Sequence, residues 1–512
     1  MTTPLPLQNN FSMGMKRDTA RNRMPVNSLW NAIDVIPNYG AALRQRGGWA
    51  YHSQDIASVT STASSIRGGI YATFSTTSGG ELVRNIAIDE DGHVFNATTA
   101  SSASDIGAGV QIAQNPIFHG GTAATAATPV YTGLVIIPDG TGANVPKKYD
   151  GTTLGNMNGT PPKARYATVY KDYTLLGNGT VGSTYFPNRV WFSPPGDPDV
   201  AVSGAVTAWD TTDSWIDFSL PIRGFGSVKN ACLVFHSDQV SRVRGSLPPP
   251  EQDMVVDDPL FQIGLLDSFS ITTYKENVYW CAPQGVFRSD GVVIDDLTRK
   301  GGMLRYWLDL VDDATTTWTY STGIQRDTLF ISVLDGTTFK DAFMVDLVSL
   351  AWTRLSNVDS LSFWGGLLNQ GDELYWGRKN AARVCRMSTV YKVGDSTLKN
   401  DGDGDAVLPV VETAFFEIGK PGLKRFRRFF FGADIRDYAT DNPTISVGYL
   451  VSPEASSYTT AGTVAESTAY LKSKIPISNR GHGIGFKFAR ANAGDFLLHD
   501  FELEVIRQEE SK

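Results

Sequence analysis

The residues with the clearest chemical potential in this sequence form a run of acids. Asp401, Asp403 and Asp405 alternate with glycine, and Glu412 falls where the twelfth residue of a calcium loop would stand. Such a loop turns sharply at its sixth position and needs glycine there, whereas this sequence has Ala406, and no helical pattern flanks the run. The stretch therefore reads as a linker. Six histidines, His52, His93, His119, His236, His482 and His499, show no ligand spacing with one another or with cysteine. The adjacent acids Asp257 and Asp258, and Asp295 and Asp296, are of the type that cleaves glycosidic bonds when two carboxyls face each other across a sugar. Sequence places no partner opposite either pair, so they read as solvated loop acids. The S-x-D-x-G-x-x-W turn of glycan-cleaving propellers is absent: Ser289, Asp290 and Gly291, and Ser237 with Asp238, are the nearest approaches. No nucleophile elbow, zinc-protease helix, P-loop or dinucleotide fingerprint occurs. The reading is of a chain with no catalytic, cofactor-binding or metal-binding residues, and not of an enzyme.

Lys420, Lys424, Arg425, Arg427 and Arg428 interleave with Phe426 and the phenylalanines 429–431. That pattern could stack nucleic-acid bases above a phosphate track. A sandwich strand with a basic edge is the simpler reading, with a protein interface as a further one. The formal net charge of −8 also argues against a protein that coats nucleic acid by charge. Cys232, Cys281 and Cys385 lie far apart and read as small buried hydrophobes in a reducing compartment.

Short strands must carry these residues. With 50 glycines and 25 prolines in 512 residues, long helices are not expected. Apolar or alternating runs such as 82–88, 134–137, 329–334 and 429–431 end in Gly, Asp, Asn or Pro. One helix is predicted around 303–310, from Met303, Leu304, Tyr306, Trp307 and Leu310. No apolar run is long enough to span a bilayer, and the polar first ten residues show no secretory signal.

Asp-Gly turns begin at Asp91, Asp139, Asp290 and Asp335, and similar aromatic strands contain Trp191, Tyr279 and Tyr375. Their spacings are near multiples of ~45 to 50 residues, the period of four-stranded propeller blades. The predicted fold is all-β: a β-propeller over 56–388, with six blades as the preferred count, a linker over 389–409, and a small β-sandwich over 410–512. An irregular multi-sandwich protein is the alternative. Residues 1–55 read as an extended N-terminal arm. Its anchors Phe11, Met13, Arg17, Trp30, Arg44, Arg46 and Trp49 are candidate assembly contacts, unless the segment packs on its own domain.

The N-terminal residues also carry a resemblance. Asn31, Asp34 and Gly40, then Leu43, Arg44, Arg46, Gly48 and Trp49, are similar to the opening of phage virion proteins built on a propeller. The stretches beginning at Arg189 and Leu233 resemble blade motifs of that family, and Ile418 to Arg425 resembles the start of its C-terminal sandwich. The chain thus resembles the tail hub or nozzle proteins of short-tailed phages, also called packaged-DNA stabilisation proteins. The resemblance implies a homo-oligomeric ring, usually a hexamer, below the portal and adaptor of the virion. It implies attachment of fibres, spikes or a plug, and passage of double-stranded DNA without sequence-specific binding. No membrane association and no cofactor are implied. A receptor- or glycan-binding propeller at the tail tip is the rival, motivated by 11 tryptophans and 19 tyrosines. A glycan hydrolase using the propeller's central pocket is the third reading.

Overall fold

The computed structural model describes the chain except residues 1–4, 9–10, 38–42, 47, 60–62, 77–79, 121–130, 200–208, 251–252, 315–317, 337, 366–372, 388–400, 402–406, 418–422, 436–443, 466, 491–496 and 508–512. The described residues form a β-propeller joined to a two-sheet sandwich. Each blade is an antiparallel meander, as short alternating strands separated by tight turns require.

The first blade comprises Ile66–Thr76, Glu81–Asp89, Val94–Asn96 and Ser104–Gly107. The second comprises Ile117–His119, Leu134–Ile137, Lys147–Tyr149 and Leu154–Asn156. The third runs Lys163–Tyr170, Tyr173–Val181, Thr184–Phe192 and Trp215–Asp217. The fourth runs Gly224–Val228, Ala231–Phe235, Val240–Arg244 and Val255–Phe261. The fifth has Thr272–Tyr274, Asn277–Ala282, Gly285–Ser289 and Ile294–Asp296. The sixth has Trp318–Gln325, Thr328–Asp335, Thr338–Asp346 and Trp352–Arg354. The first strand of each blade lies innermost, against the first strands of its neighbours.

These six blades are each drawn from one stretch of chain, as the period predicts. A composite sheet then closes the ring. It takes Ser360–Gly365, Leu374–Arg378 and Val384–Met387 from the end of the propeller sequence and Trp49–Tyr51 from its beginning. A period count does not see this sheet, because its outer strand is more than 300 residues distant in sequence. Trp49 seals it: its ring meets Trp376 edge-on at 5.1 Å, and its indole N–H donates to the Asn357 carbonyl at 3.0 Å.

The helix predicted around 303–310 is Leu304–Asp312, here α2, preceded by the short α1, Leu297–Gly301. Asp296 caps α1 by accepting from the Arg299 N–H, and Gly302 ends it at φ +68°.

In the sandwich, one sheet orders Val35–Pro37, Leu43–Gln45, Leu497–Arg507, Lys424–Ile435 and Ser467–Gly481. The other orders Leu29–Ile33, Val410–Thr413, Gly483–Arg490, Thr444–Leu450 and Thr459–Ala465, continuing from the sixth blade. Phenylalanines fill the space between the sheets, with Phe429 stacked on Phe486 at 3.9 Å between ring centres. Lys424–Ile435 pairs on both sides, so the basic edge strand expected there is a central strand. Its Phe426, Phe429 and Phe431 are buried while Arg425 and Arg427 face outward.

The extended N-terminal arm is corrected by this topology. Ile33 pairs in parallel with Arg354 of the sixth blade and antiparallel with Val410 of the sandwich. Phe11, Met15, Leu29, Ala32, Val35 and Leu43 belong to one apolar core shared by the fifth and sixth blades and the sandwich. The described residues of 11–51 thus weld the two domains of their own chain. The physical reason is that each of these short strands has buried side chains to place in a core, among them Leu29, Ala32, Val35, Leu43 and Trp49.

Candidate functional site

Two places bring polar groups together in unusual settings: the junction between the domains and the propeller axis.

At the junction, Arg46 is buried between two carboxylates. Its Nε donates to Asp34 Oδ1 at 2.6 Å, and its Nη1 and Nη2 donate to Asp401 Oδ1 and Oδ2 at 2.9 and 3.0 Å. Nη2 also reaches the Ser356 carbonyl at 3.0 Å. Asp34 accepts in turn from the Ser356 N–H at 2.9 Å and from its hydroxyl. Asp401 Oδ1 also accepts from the Trp49 N–H at 3.3 Å. The planar guanidinium suits this bidentate grip. Burial opposes the Arg46 charge, but the two carboxylates outweigh burial and raise its pKa. Burial raises the Asp401 carboxyl, with Arg46 opposing. Asp401, expected in a solvated linker or calcium loop, is instead the anchor that ties the end of the propeller to the N-terminal segment. Asp403, Asp405 and most of the 389–409 linker lie outside the described residues, and Glu412 pairs with Lys487 at 3.4 Å.

The other expected contact residues divide. Phe11, Arg46 and Trp49 are buried within the chain, so they are not available as assembly contacts. Met13 and Arg44 are half-buried, Arg44 in the short strand opposite Leu497. Arg17 lies over the Trp30 ring at 4.2 Å and near Tyr306 at 5.2 Å. Arg17 and Trp30 line an open cavity of about 320 Å³ with Arg305, Tyr306 and Asp309.

A single turn plugs space between the inner strands of several blades. Ser268–Ser270, a 3-10 turn capped by the Asp267 side chain, precedes the fifth blade and packs on the inner strands of the sixth blade and of the composite sheet. Ser268 donates to the Ala113 carbonyl before the second blade, and Thr322 of the sixth blade donates to the Ser270 carbonyl at 2.8 Å. Phe269 packs in the core of the first and second blades. Gly68 of the first blade's inner strand is required by its neighbours, since a Cβ there would lie 2.6 Å from Ile112 Cδ1 and 2.8 Å from Asn115 Oδ1.

Above this plug lies a cavity of about 410 Å³, lined by Tyr166, Arg223, Leu266, Asp267, Ser268, Ala314, Trp318 and Tyr320. The polar members stand at or near the starts of inner strands, so four successive blades aim them at one point. Asp267 Oδ1 accepts from the Phe269 N–H at 3.0 Å and Oδ2 from the Tyr320 N–H at 3.3 Å. Burial nevertheless raises its carboxyl above the usual range, with those bonds, Arg67 and Arg223 opposing. Burial also raises the Tyr166 phenol, with Arg223 opposing. Tyr320 is 2% exposed, and its hydroxyl has no hydrogen-bond partner among the described residues. The indole N–H of Trp318 is likewise buried and unpartnered. Sequence reading missed all of these residues. They come from separate blades, and only their positions near inner-strand starts unite them.

No family model and no curated protein matches the chain. Among solved structures, it is similar to an exo-β-1,3-galactanase from Phanerochaete chrysosporium (10% identity, 90% of this chain and 100% of that one, TM-score 0.26). It is also similar to a Bacillus subtilis arabinoxylan arabinofuranohydrolase (10% identity, 98% and 99%, TM-score 0.20) and to a mutant Trypanosoma rangeli sialidase with trans-sialidase activity (9% identity, 79% and 92%, TM-score 0.27). The expectation that the chain is not an enzyme is corrected here. The similar structures found are enzymes that act on glycans, which runs against that expectation.

Proposed function

We propose that this chain is a bacteriophage virion protein of the neck or tail. In this reading it forms a hub or nozzle ring below the portal and adaptor, extends the DNA channel, helps retain the genome and mounts tail fibres or a plug. One observation carries the reading. The residues that resemble the opening of the hub family are the ones that weld propeller to sandwich, with Asp34 and Arg46 at the centre of the weld. A ring under the pressure of packaged DNA needs subunits whose domains do not swing, and a buried, multiply bonded ion cluster resists such motion. The net charge of −8 fits a wall past which phosphates slide. Arg17 and Trp30 remain reachable for a neighbour.

The test is immunogold electron microscopy of phage particles carrying this chain. Gold at the head–tail vertex supports the reading, and particles without gold contradict it. The axial cavity favours a second reading, a receptor- or glycan-binding propeller at the tail tip, for which gold would mark the distal end.

A further inference from the structure

We infer that the cavity on the propeller axis is a binding site for an acidic sugar unit, a pyranose bearing a carboxylate. The inference is independent of the assembly reading, because the cavity is built wholly within one chain.

A buried polar group without a partner costs free energy, on the order of 1–3 kcal/mol, and native structures keep few of them. Here two buried groups without partners, the Tyr320 hydroxyl and the Trp318 N–H, belong to side chains lining one cavity. Both lie in the same inner strand, two residues apart and therefore on the same face. A ligand offering hydroxyl groups would satisfy both. Trp318 and Tyr166 add aromatic surface, which packs on the apolar face of a pyranose ring while its edge hydroxyls bond outward. A volume of about 410 Å³ is at the small end of the range for ligand pockets, about 300–1,000 Å³, and so fits one sugar unit rather than a chain.

Charge selects among sugars. Arg223 is exposed at the rim, within electrostatic reach of Asp267 and Tyr166, and its guanidinium can take a carboxylate in the bidentate geometry it favours. Arg67 acts on the same point from the first blade. Asp267 is the one carboxyl in the lining, already held by the backbone N–H groups of Phe269 and Tyr320. Leu266, Asp267 and Ser268, in and just before the plugging turn, supply one part of the cavity wall.

The test titrates full-length protein with galacturonate, glucuronate and N-acetylneuraminate, each beside its methyl ester, by isothermal calorimetry. At least one acid is expected to bind at least tenfold more tightly than its ester. Arg223→Gln should reduce that acid to the level of the ester without changing the thermal midpoint. Trp318→Ala should weaken acid and ester alike. Binding of none of the three acids overturns the inference. So does equal binding of acid and ester, or binding indifferent to Arg223→Gln. Should Trp318→Ala fail to fold, Tyr320→Phe replaces it, with weaker acid binding expected and unchanged binding counting against the site.

Discussion

The junction and the axial cavity treat buried polar groups in opposite ways. At the junction, Asp34, Arg46 and Asp401 use nearly every lone pair and N–H they have, on one another and on Ser356 and Trp49. On the axis, the Tyr320 hydroxyl and the Trp318 indole N–H are also buried, yet neither has a hydrogen-bond partner among the described residues. A satisfied cluster holds shape, because removing any member strands the others. An unsatisfied group weakens the fold, and two that line one cavity are groups a ligand can complete. The first region holds the architecture, and the second is the one proposed for recognition.

Mutations sharpen this contrast. Arg46→Ala should have the largest effect, since it leaves two carboxylates buried without a counter-charge. A loss of about 3–5 kcal/mol is expected by denaturant unfolding. A loss below about 1 kcal/mol would mean that the cluster is ornamental. Trp49→Ala should cost a similar or slightly smaller amount, about 3–5 kcal/mol, by opening a cavity against Trp376 and loosening the strand that closes the ring.

Buried histidines give the next effect. Burial lowers the pKa of His52, His119 and His236 below the ordinary 6.5. In that window the unfolded chain binds protons that the native state refuses. The stability these residues contribute is present above 6.5 and lost as pH falls through the folded values. Thermal midpoints should drop from pH 7 toward pH 5, and less steeply in His236→Asn.

Asp267 has the opposite sign. Its raised carboxyl keeps a proton that the unfolded chain has lost, so its contribution is present at low pH and declines as pH rises through the window above the ordinary 3.8. Asp267→Asn keeps an oxygen to cap the turn and should flatten that decline, at a pH-independent cost because its amide nitrogen cannot accept from the second backbone N–H. The smallest effect is expected for Tyr320→Phe. Removing a hydroxyl that bonds nothing should leave stability unchanged or raise it by up to about 1 kcal/mol. A large loss would show that the hydroxyl is satisfied, and would erase the contrast between the regions.

The repeat was legible in sequence but its phase was not. Asp91, Asp139 and Asp335 sit in turns between second and third strands of their blades, whereas Asp290 sits between third and fourth strands. A further Asp-Gly pair, Asp150 and Gly151, falls outside that spacing; Asp150 occupies the same turn as Asp290, and both carboxylates accept from N–H groups two and three residues on. Trp191 lies in a third strand, but Tyr279 and Tyr375 lie in second strands. A tight turn and an aromatic strand look alike wherever they fall in a blade, so a period emerges from a mixture of registers. The junction was half legible. Asp34 and Arg46 stood out, but their partner Asp401 lay hidden in an apparent linker more than 350 residues away in sequence. The axial site was not legible at all, because closing a ring creates it.

The most direct test of the account is a cryo-electron microscopy reconstruction of the head–tail vertex of particles carrying this chain. The account expects a closed ring of copies, each keeping propeller and sandwich in the orientation set by the Asp34–Arg46–Asp401 cluster. A vertex lacking this chain, or copies whose two domains have swung apart around an opened cluster, would contradict it.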